Sequence, residues 1–294
     1  MRFNFFQMEA FDKGFKANVL QPIPYLENRL QNCPNLPHFE VDVFIDEVNP
    51  FQSRASITMT PILGRIHSVR PNANIIASTR VLTETAPFII GFYCGNGKPD
   101  DIDGFLNPTI DEFIRLSPDT RNSTVDRHFT ASLRCVISDT PMRAYLKRMK
   151  GHGGFWACDR CIQRGEAFNG NNSNIVMPNV NAPLRRDEDF LKYHVNDFSQ
   201  DEHLDPTKVS PFVRLKFDMV TGFIIDPQHT YIEGGFGRKL VGFASVPSEG
   251  KLNSFQLAAV NSRIAYYRAW KPNDFDRPVE NLTKCGSYKM HVKR

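Results

Sequence analysis

His38-Phe-Glu-Val-Asp-Val-Phe-Ile-Asp-Glu-Val48 is the stretch from which the fold is read. Phe39, Val41, Val43 and Ile45 alternate with Glu40, Asp42, Phe44 and Asp46, the period of a half-buried β-strand. Asp46 therefore points away from the main apolar face, near the strand's end. Outward from this stretch, strands are expected over residues 56–67, 75–81 and 87–94, the last apolar enough to lie inside a sheet. Turn-rich Gly95-Asn-Gly-Lys-Pro-Asp-Asp101 closes that meander. Leu106, Ile110, Phe113 and Ile114 then recur at helical spacing, which predicts an amphipathic helix ending near Ser117-Pro118. A fourth strand is expected over 129–137, where Phe129, Ala131, Leu133, Cys135 and Ile137 alternate with Thr130, Ser132 and Arg134. Ser138-Asp-Thr-Pro141 opens a second helix, with Thr140 as N-cap, Pro141 at its first position and Met142, Tyr145, Leu146 and Met149 as an apolar stripe before Gly151.

Three strands, a helix, a strand and a helix, with an acid on the first strand and another after the fourth, follow the order of a ribonuclease-H-like fold. In that fold strands one and four are neighbours and their acids meet. The expected class is α/β: a ribonuclease-H-like mixed sheet with a loop-rich, partly helical insertion. The boundaries read as an N-terminal segment over 1–38, the core over 39–151, an insertion over 152–283 and the start of a last core element over 284–294. Within the insertion, Leu257, Val260, Ile264 and Tyr267 predict a helix over 254–270.

Composition narrows the functional classes. With 294 residues, 41% of them apolar, a body of this size hides roughly three-quarters of its unfolded surface, so neither disulfide nor metal is needed merely to hold a core. No apolar run approaches the roughly 20 residues of a membrane span, and the first residues carry Arg2, Glu9, Asp12 and Lys13 where a signal peptide needs an apolar core. The expectation is a soluble, intracellular protein without a membrane partner. The formal charge of +4 is too small to mark a nucleic-acid binder by itself.

Asp46 and Asp139 are the leading site candidates. Two carboxylates brought together repel unless a divalent cation neutralises them, and two-metal phosphoryl transfer uses such acids to hold its ions. The alternative is that each is a solvated strand-end or cap residue. Cys158-Asp-Arg-Cys161 offers two thiolates for tetrahedral Zn²⁺, with His152, His194, His203 and His229 as candidates for the remaining ligands. A pair of reduced cysteines is the other reading. A thioredoxin-type role fits less well, because the pair follows a Gly-rich loop rather than preceding the helix of a βαβ unit. Asp226-Pro-Gln-His229 adds an acid and a histidine to this region. Gly234, Gly235 and Gly237 make no dinucleotide fingerprint, and Gly95-Asn-Gly-Lys98 lacks the spacing of a P-loop. The basic run Arg143-Ala-Tyr-Leu-Lys-Arg-Met-Lys150 puts Arg143, Lys147, Arg148 and Lys150 beside the acids, as a groove tracking nucleic-acid phosphates requires; a solvated helix face explains it almost as well.

Together Phe88-Ile-Ile-Gly-Phe-Tyr-Cys-Gly-Asn-Gly-Lys-Pro-Asp-Asp-Ile-Asp-Gly-Phe-Leu106, Ser138-Asp-Thr-Pro-Met-Arg-Ala-Tyr-Leu146, Lys150-Gly-His-Gly-Gly-Phe-Trp-Ala-Cys-Asp-Arg-Cys161 and Asn181-Ala-Pro-Leu-Arg-Arg-Asp-Glu-Asp-Phe190 resemble animal transposase domain-containing proteins. These are similar to the En/Spm-type transposases of the CACTA superfamily. The resemblance spans about residues 43 to 290. It implies an Asp-Asp-Glu transposase on a ribonuclease-H-like core, working on DNA in the nucleus with Mg²⁺, with Asp46 and Asp139 as its first two acids. It likewise implies that Cys158 and Cys161 are the family's cysteine pair and that Asp226 and His229 match its Asp-Tyr-Met-His element. Departures are Glu47 for a usual Gly, Thr60 for a Trp, and Pro227-Gln228 for Tyr-Met. Tyr288-Lys-Met-His291 looks like the start of a Trp-Lys-x-x-Glu element, but Val292 falls at the Glu position, so the third acid is expected to be missing. The expectation is a transposase-derived chain without strand-transfer activity, with a homo-oligomer possible. A non-catalytic nuclear module that binds DNA or protein, stapled by zinc, is the alternative.

Overall fold

The computed structural model describes residues 6–11, 14–19, 37–50, 57–71, 73–74, 76–83, 85–118, 129–151, 153–168, 170–191, 209–226, 242–244, 250–268 and 282. Its strands are β1 (Phe6–Phe11), β2 (Gly14–Val19), β3 (His38–Ile45), β4 (Ile57–Arg70), β5 (Arg80–Val81), β6 (Phe88–Asn96), β7 (Thr130–Ser138), β8 (Glu166–Phe168), β9 (Asn171–Val176) and β10 (Phe223–Ile225). The helices are α1 (Ile102–Leu116), α2 (Thr140–Leu146), α3 (Glu188–Leu191) and α4 (Ser254–Arg268). The protein is mixed α/β. Two compact units divide the chain, Met1–Ile224 and Ile225–Arg294.

The main sheet runs β1-β2-β6-β4-β3-β7-β10, with β5 on β4, while β8 and β9 form a separate pair. β3 and β4 pair antiparallel, as do β4 and β6, whereas β3 and β7 run parallel. Period-two patterning explains the central strands: Thr60, Ile62, Gly64, Ile66 and Ser68 of β4 are buried and the residues between them are not. Gly64 sits opposite Phe88, and a Cβ there would come within 2.5 Å of the Phe88 ring, so this crossing of β4 and β6 needs glycine.

α1 covers the sheet with Ile102, Phe105, Leu106, Ile110, Phe113 and Leu116, the stripe that helical spacing requires. Asp101 caps it by accepting from the Gly104 amide at 3.0 Å, and the Phe105 ring meets Tyr93 of β6 edge-on at 6.4 Å. Val41, Val43, Ile45, Val136, Met142, Leu146, Phe212, Met219 and Phe223 continue the same core.

The expected elements recur with four differences. Residues 75–81 form a 3₁₀ turn at Ile76–Ser78 and the two-residue β5 rather than a strand, because no sheet face receives their apolar side chains: Ile76 and Val81 are 70% and 56% exposed. The segment before residue 38 contributes the hairpin β1–β2, which pairs with β6 and lengthens the sheet. Residues 209–224 lie in the first unit and pack into its core, so the insertion expected over 152–283 does not stand apart along its whole length. Finally, α2 stops at Leu146 instead of continuing toward Gly151. Arg148 takes φ +56°, the Arg148 amide donates to the Tyr145 carbonyl at 3.0 Å, and the Met149 amide reaches back to the Ala144 carbonyl at 2.8 Å. That is a Schellman ending with arginine where glycine is usual.

In the second unit, α4 carries a reciprocal capping box: the Gln256 amide donates to Asn253 Oδ1 at 2.9 Å and the Asn253 amide to Gln256 Oε1 at 3.0 Å. Leu257, Val260 and Ile264 are half-buried along it, as their spacing predicts. Among the described residues, no helix is long and apolar enough to cross a membrane.

Candidate functional site

Asp46 is the first residue after β3 and Asp139 the first after β7. The parallel register ends with Phe44 paired to Ile137, and Asp46 and Asp139 each stand two residues beyond that last pair. Adjacent strands lie about 4.8 Å apart, so the strand ends that precede the two acids are neighbours on one edge. Strand ends at such an edge are where α/β folds gather their sites.

Local structure engages both carboxylates. Asp46 is 7% exposed, and its Oδ1 accepts from the Glu47 amide at 2.8 Å. Asp139, rather than Thr140, is the N-cap of α2: its Oδ1 accepts from the Met142 amide at 2.7 Å. Thr140 and Pro141 become the first two helical residues, where the missing proline N–H costs nothing. Each acid therefore has the cap or turn role that strand ends invite.

Three of the four basic residues beside the acids turn inward. Arg143 donates from Nε to Asp159 Oδ2 at 3.0 Å and from Nη1 to the Ser138 carbonyl at 3.1 Å. The Lys147 side chain is fully enclosed, with Nζ 3.0 Å from Asp159 Oδ2 and lying over the rings of Phe223 and Phe190 at 4.8 and 5.4 Å. Burial pulls its ammonium down to about 8, against the upward pull of Asp159. Arg148 reaches Asp103 at 2.6 Å and is also buried. Lys150 is half-buried. The run is a buried ionic knot at Arg143, Lys147 and Arg148, not a solvated face.

Asp159, between the two cysteines, is the residue that sequence reasoning missed. Burial would raise its carboxyl, but Lys147 and Arg143 outweigh this and hold it below the ordinary value. Its neighbour Arg160 donates to the carbonyls of Val220 and Phe223 at 3.2 and 2.6 Å. The Cys158–Cys161 loop thus ties the end of α2 to the chain entering β10. A charged pair inside a CxxC was the visible signal; its partners were not.

The two sulfurs stand 3.0 Å apart. Burial raises the Cys158 thiol, while at Cys161 burial is outweighed by hydrogen bonding with Cys158 and Gln163, and the thiol is lowered. Two thiolates are soft donors of the kind that zinc takes as ligands. Among the described residues no group of three His, Cys, Asp or Glu assembles around a common point, at the cysteines or at the acids. His152, His194, His203 and His229 lie outside the described residues. Asp226 follows β10 and is 7% exposed. The region over 284–294, with Val292, is likewise outside the description. A scan against protein-family models and a search of curated proteins gave no match to this chain.

Proposed function

We propose that this chain is a transposase-derived protein on a ribonuclease-H-like core, related to enzymes that cleave and transfer DNA strands with metal ions, and that it is catalytically inactive. The parallel pairing of β3 with β7, with Asp46 and Asp139 each two residues past its last pair, carries the reading. The sheet supports it further: in β6-β4-β3-β7-β10 the third, second, first, fourth and fifth core strands stand in that order, antiparallel until the parallel step from β3 to β7.

Asp46 and Asp139 would hold Mg²⁺ through carboxylate oxygens, and such an ion supplies an activated water and neutralises charge on a phosphoryl group. What the chain itself does is fix both acids: Asp46 through the Glu47 amide, Asp139 through the first turn of α2. Two carboxylates hold a divalent ion weakly, which is the basis for inactivity. Cys158 and Cys161 would supply two ligands of a structural Zn²⁺. DNA as partner and the nucleus as location belong to the same reading. Because Arg143, Lys147 and Arg148 are enclosed, contact with phosphates would fall to other basic residues.

A non-catalytic binding module that keeps the fold is the second reading, favoured by the structural employment of both carboxylates as turn and cap. Titration of Mn²⁺ into the whole chain, compared with Asp46→Asn combined with Asp139→Asn, separates the two. Asparagine retains the capping hydrogen bonds. The first reading expects Mn²⁺ affinity at about the millimolar level that falls roughly tenfold in the double variant, with no Mg²⁺-dependent nicking of DNA. Equal Mn²⁺ binding by both proteins favours the second reading, and vigorous nicking by the wild-type chain overturns the inactivity.

A further inference from the structure

The loop that ties the end of α2 to the chain entering β10 holds two free thiols in contact, with Cys158 Sγ and Cys161 Sγ 3.0 Å apart. A disulfide bond is about 2.05 Å long, so closing one here asks the sulfurs to approach by only about 1 Å. The chain bends at Asp159 and Arg160, and the Cys161 amide donates back to Cys158 Sγ at 3.3 Å. Cys161 is also held from the other side. Gln163 Nε2 donates to Cys161 Sγ at 3.1 Å, and the same amide is clamped on Asn179, giving to its carbonyl at 2.9 Å and accepting its N–H on Oε1 at 3.0 Å. Buried Arg185 fastens the approach to the loop, donating from Nε to the Cys158 carbonyl at 2.8 Å and from Nη2 to the Trp156 carbonyl at 3.3 Å. The chain's own hydrogen bonds therefore set the two sulfurs against each other.

Cys158 is only half-buried, so the pair opens to a small reagent, while Cys161 is 8% exposed. Thiol–disulfide exchange needs an attacking sulfur, a reachable disulfide and a second sulfur to resolve the product. Held in contact, the second sulfur is present at a high effective concentration. The lack of a βαβ helix after the pair removes a helix N-terminus that favours thiolate, but not the juxtaposition on which the resolving step depends.

We propose that Cys158 and Cys161 form a reversible dithiol–disulfide site that exchanges with small-molecule disulfides of the glutathione class. One thiolate of the pair attacks a sulfur of RSSR and expels RS⁻, which takes up a proton. The other then attacks the mixed disulfide at the protein sulfur and expels the second RS⁻, so that two protein thiols and one RSSR become one Cys158–Cys161 bond and two RSH. The inference does not rest on the zinc reading of the same pair, since a zinc ion held by both sulfurs would block the exchange. The test therefore uses the whole chain freed of metal by a chelator, incubated with oxidised glutathione, and read by thiol alkylation and peptide mass mapping. The expected product is the Cys158–Cys161 bond, returned to two thiols by dithiothreitol. Cys158→Ser and Cys161→Ser each abolish that bond, and the variant that keeps the attacking thiol accumulates its glutathione mixed disulfide at least about tenfold over wild type, because the resolving sulfur is gone. In concentrated guanidinium, where the positioning is lost, the bond forms at least about tenfold more slowly. A wild-type chain that keeps both thiols, or that stops at a glutathione adduct on either cysteine, overturns the proposal. So does bond formation that is equally fast in the native and denatured chain.

Discussion

Asp159 accepts from Arg143 and Lys147, each at 3.0 Å, and it is the residue on which the interior of this region turns. The Lys147 side chain is fully enclosed and lies over two aromatic rings, so removing the carboxylate leaves a buried cation without its counter-charge. Asp159→Asn is expected to lower unfolding free energy by about 3–5 kcal/mol in urea titrations at pH 7. A loss below about 1 kcal/mol, the range of an exposed pair, would show that Asp159 does not anchor Lys147. The pH dependence has a definite sign. The folded carboxyl lies below 3.8, so its contribution is complete above that pH and disappears as the pH falls through the folded value; the gap between wild type and variant closes in acid. The sequence displayed the charges of this knot without their direction. Whether an arginine on a seven-residue helix faces water depends on what packs over it, and that comes from residues 159, 190 and 223, distant in the chain.

At the scale of elements, α2 shows how local chemistry can be right in kind and displaced by one residue. Ser-Asp-Thr-Pro contains three possible caps, and the strand β7 ends at Ser138, which leaves Asp139 with the extended backbone that a cap needs. Asp139→Ala is expected to cost about 1 kcal/mol, whereas Asp139→Asn retains most of the stability because the amide oxygen still accepts from Met142. Thermal unfolding of the two variants side by side measures this, and equal melting temperatures would remove the cap from the account. The far end of α2 was not legible. Arg148 takes a glycine-like φ, and its guanidinium pairs with Asp103 on α1, a residue 45 positions away in sequence.

For the whole molecule, the decisive event is the return of the chain to the main sheet at β10, after some eighty residues of loops and short elements. Phe223 is fully buried and meets Phe212 and Phe217 at 5.2 and 5.4 Å, so Phe223→Ala is expected to cost about 3–5 kcal/mol in urea unfolding. A cost below about 1 kcal/mol would mean that this aromatic cluster is not a working part of the core. The sequence by itself determined the central strands, α1 and the strand-end positions of Asp46 and Asp139. Alternation, helical spacing and turn residues are local, and each is enforced within a few residues of the chain. Only the tertiary structure decided that β3 and β7 run side by side and that three basic residues enclose themselves around Asp159 and Asp103. Those juxtapositions depend on sheet order and on which face the later chain covers, and desolvation fixes a charge's partners only once that burial is complete.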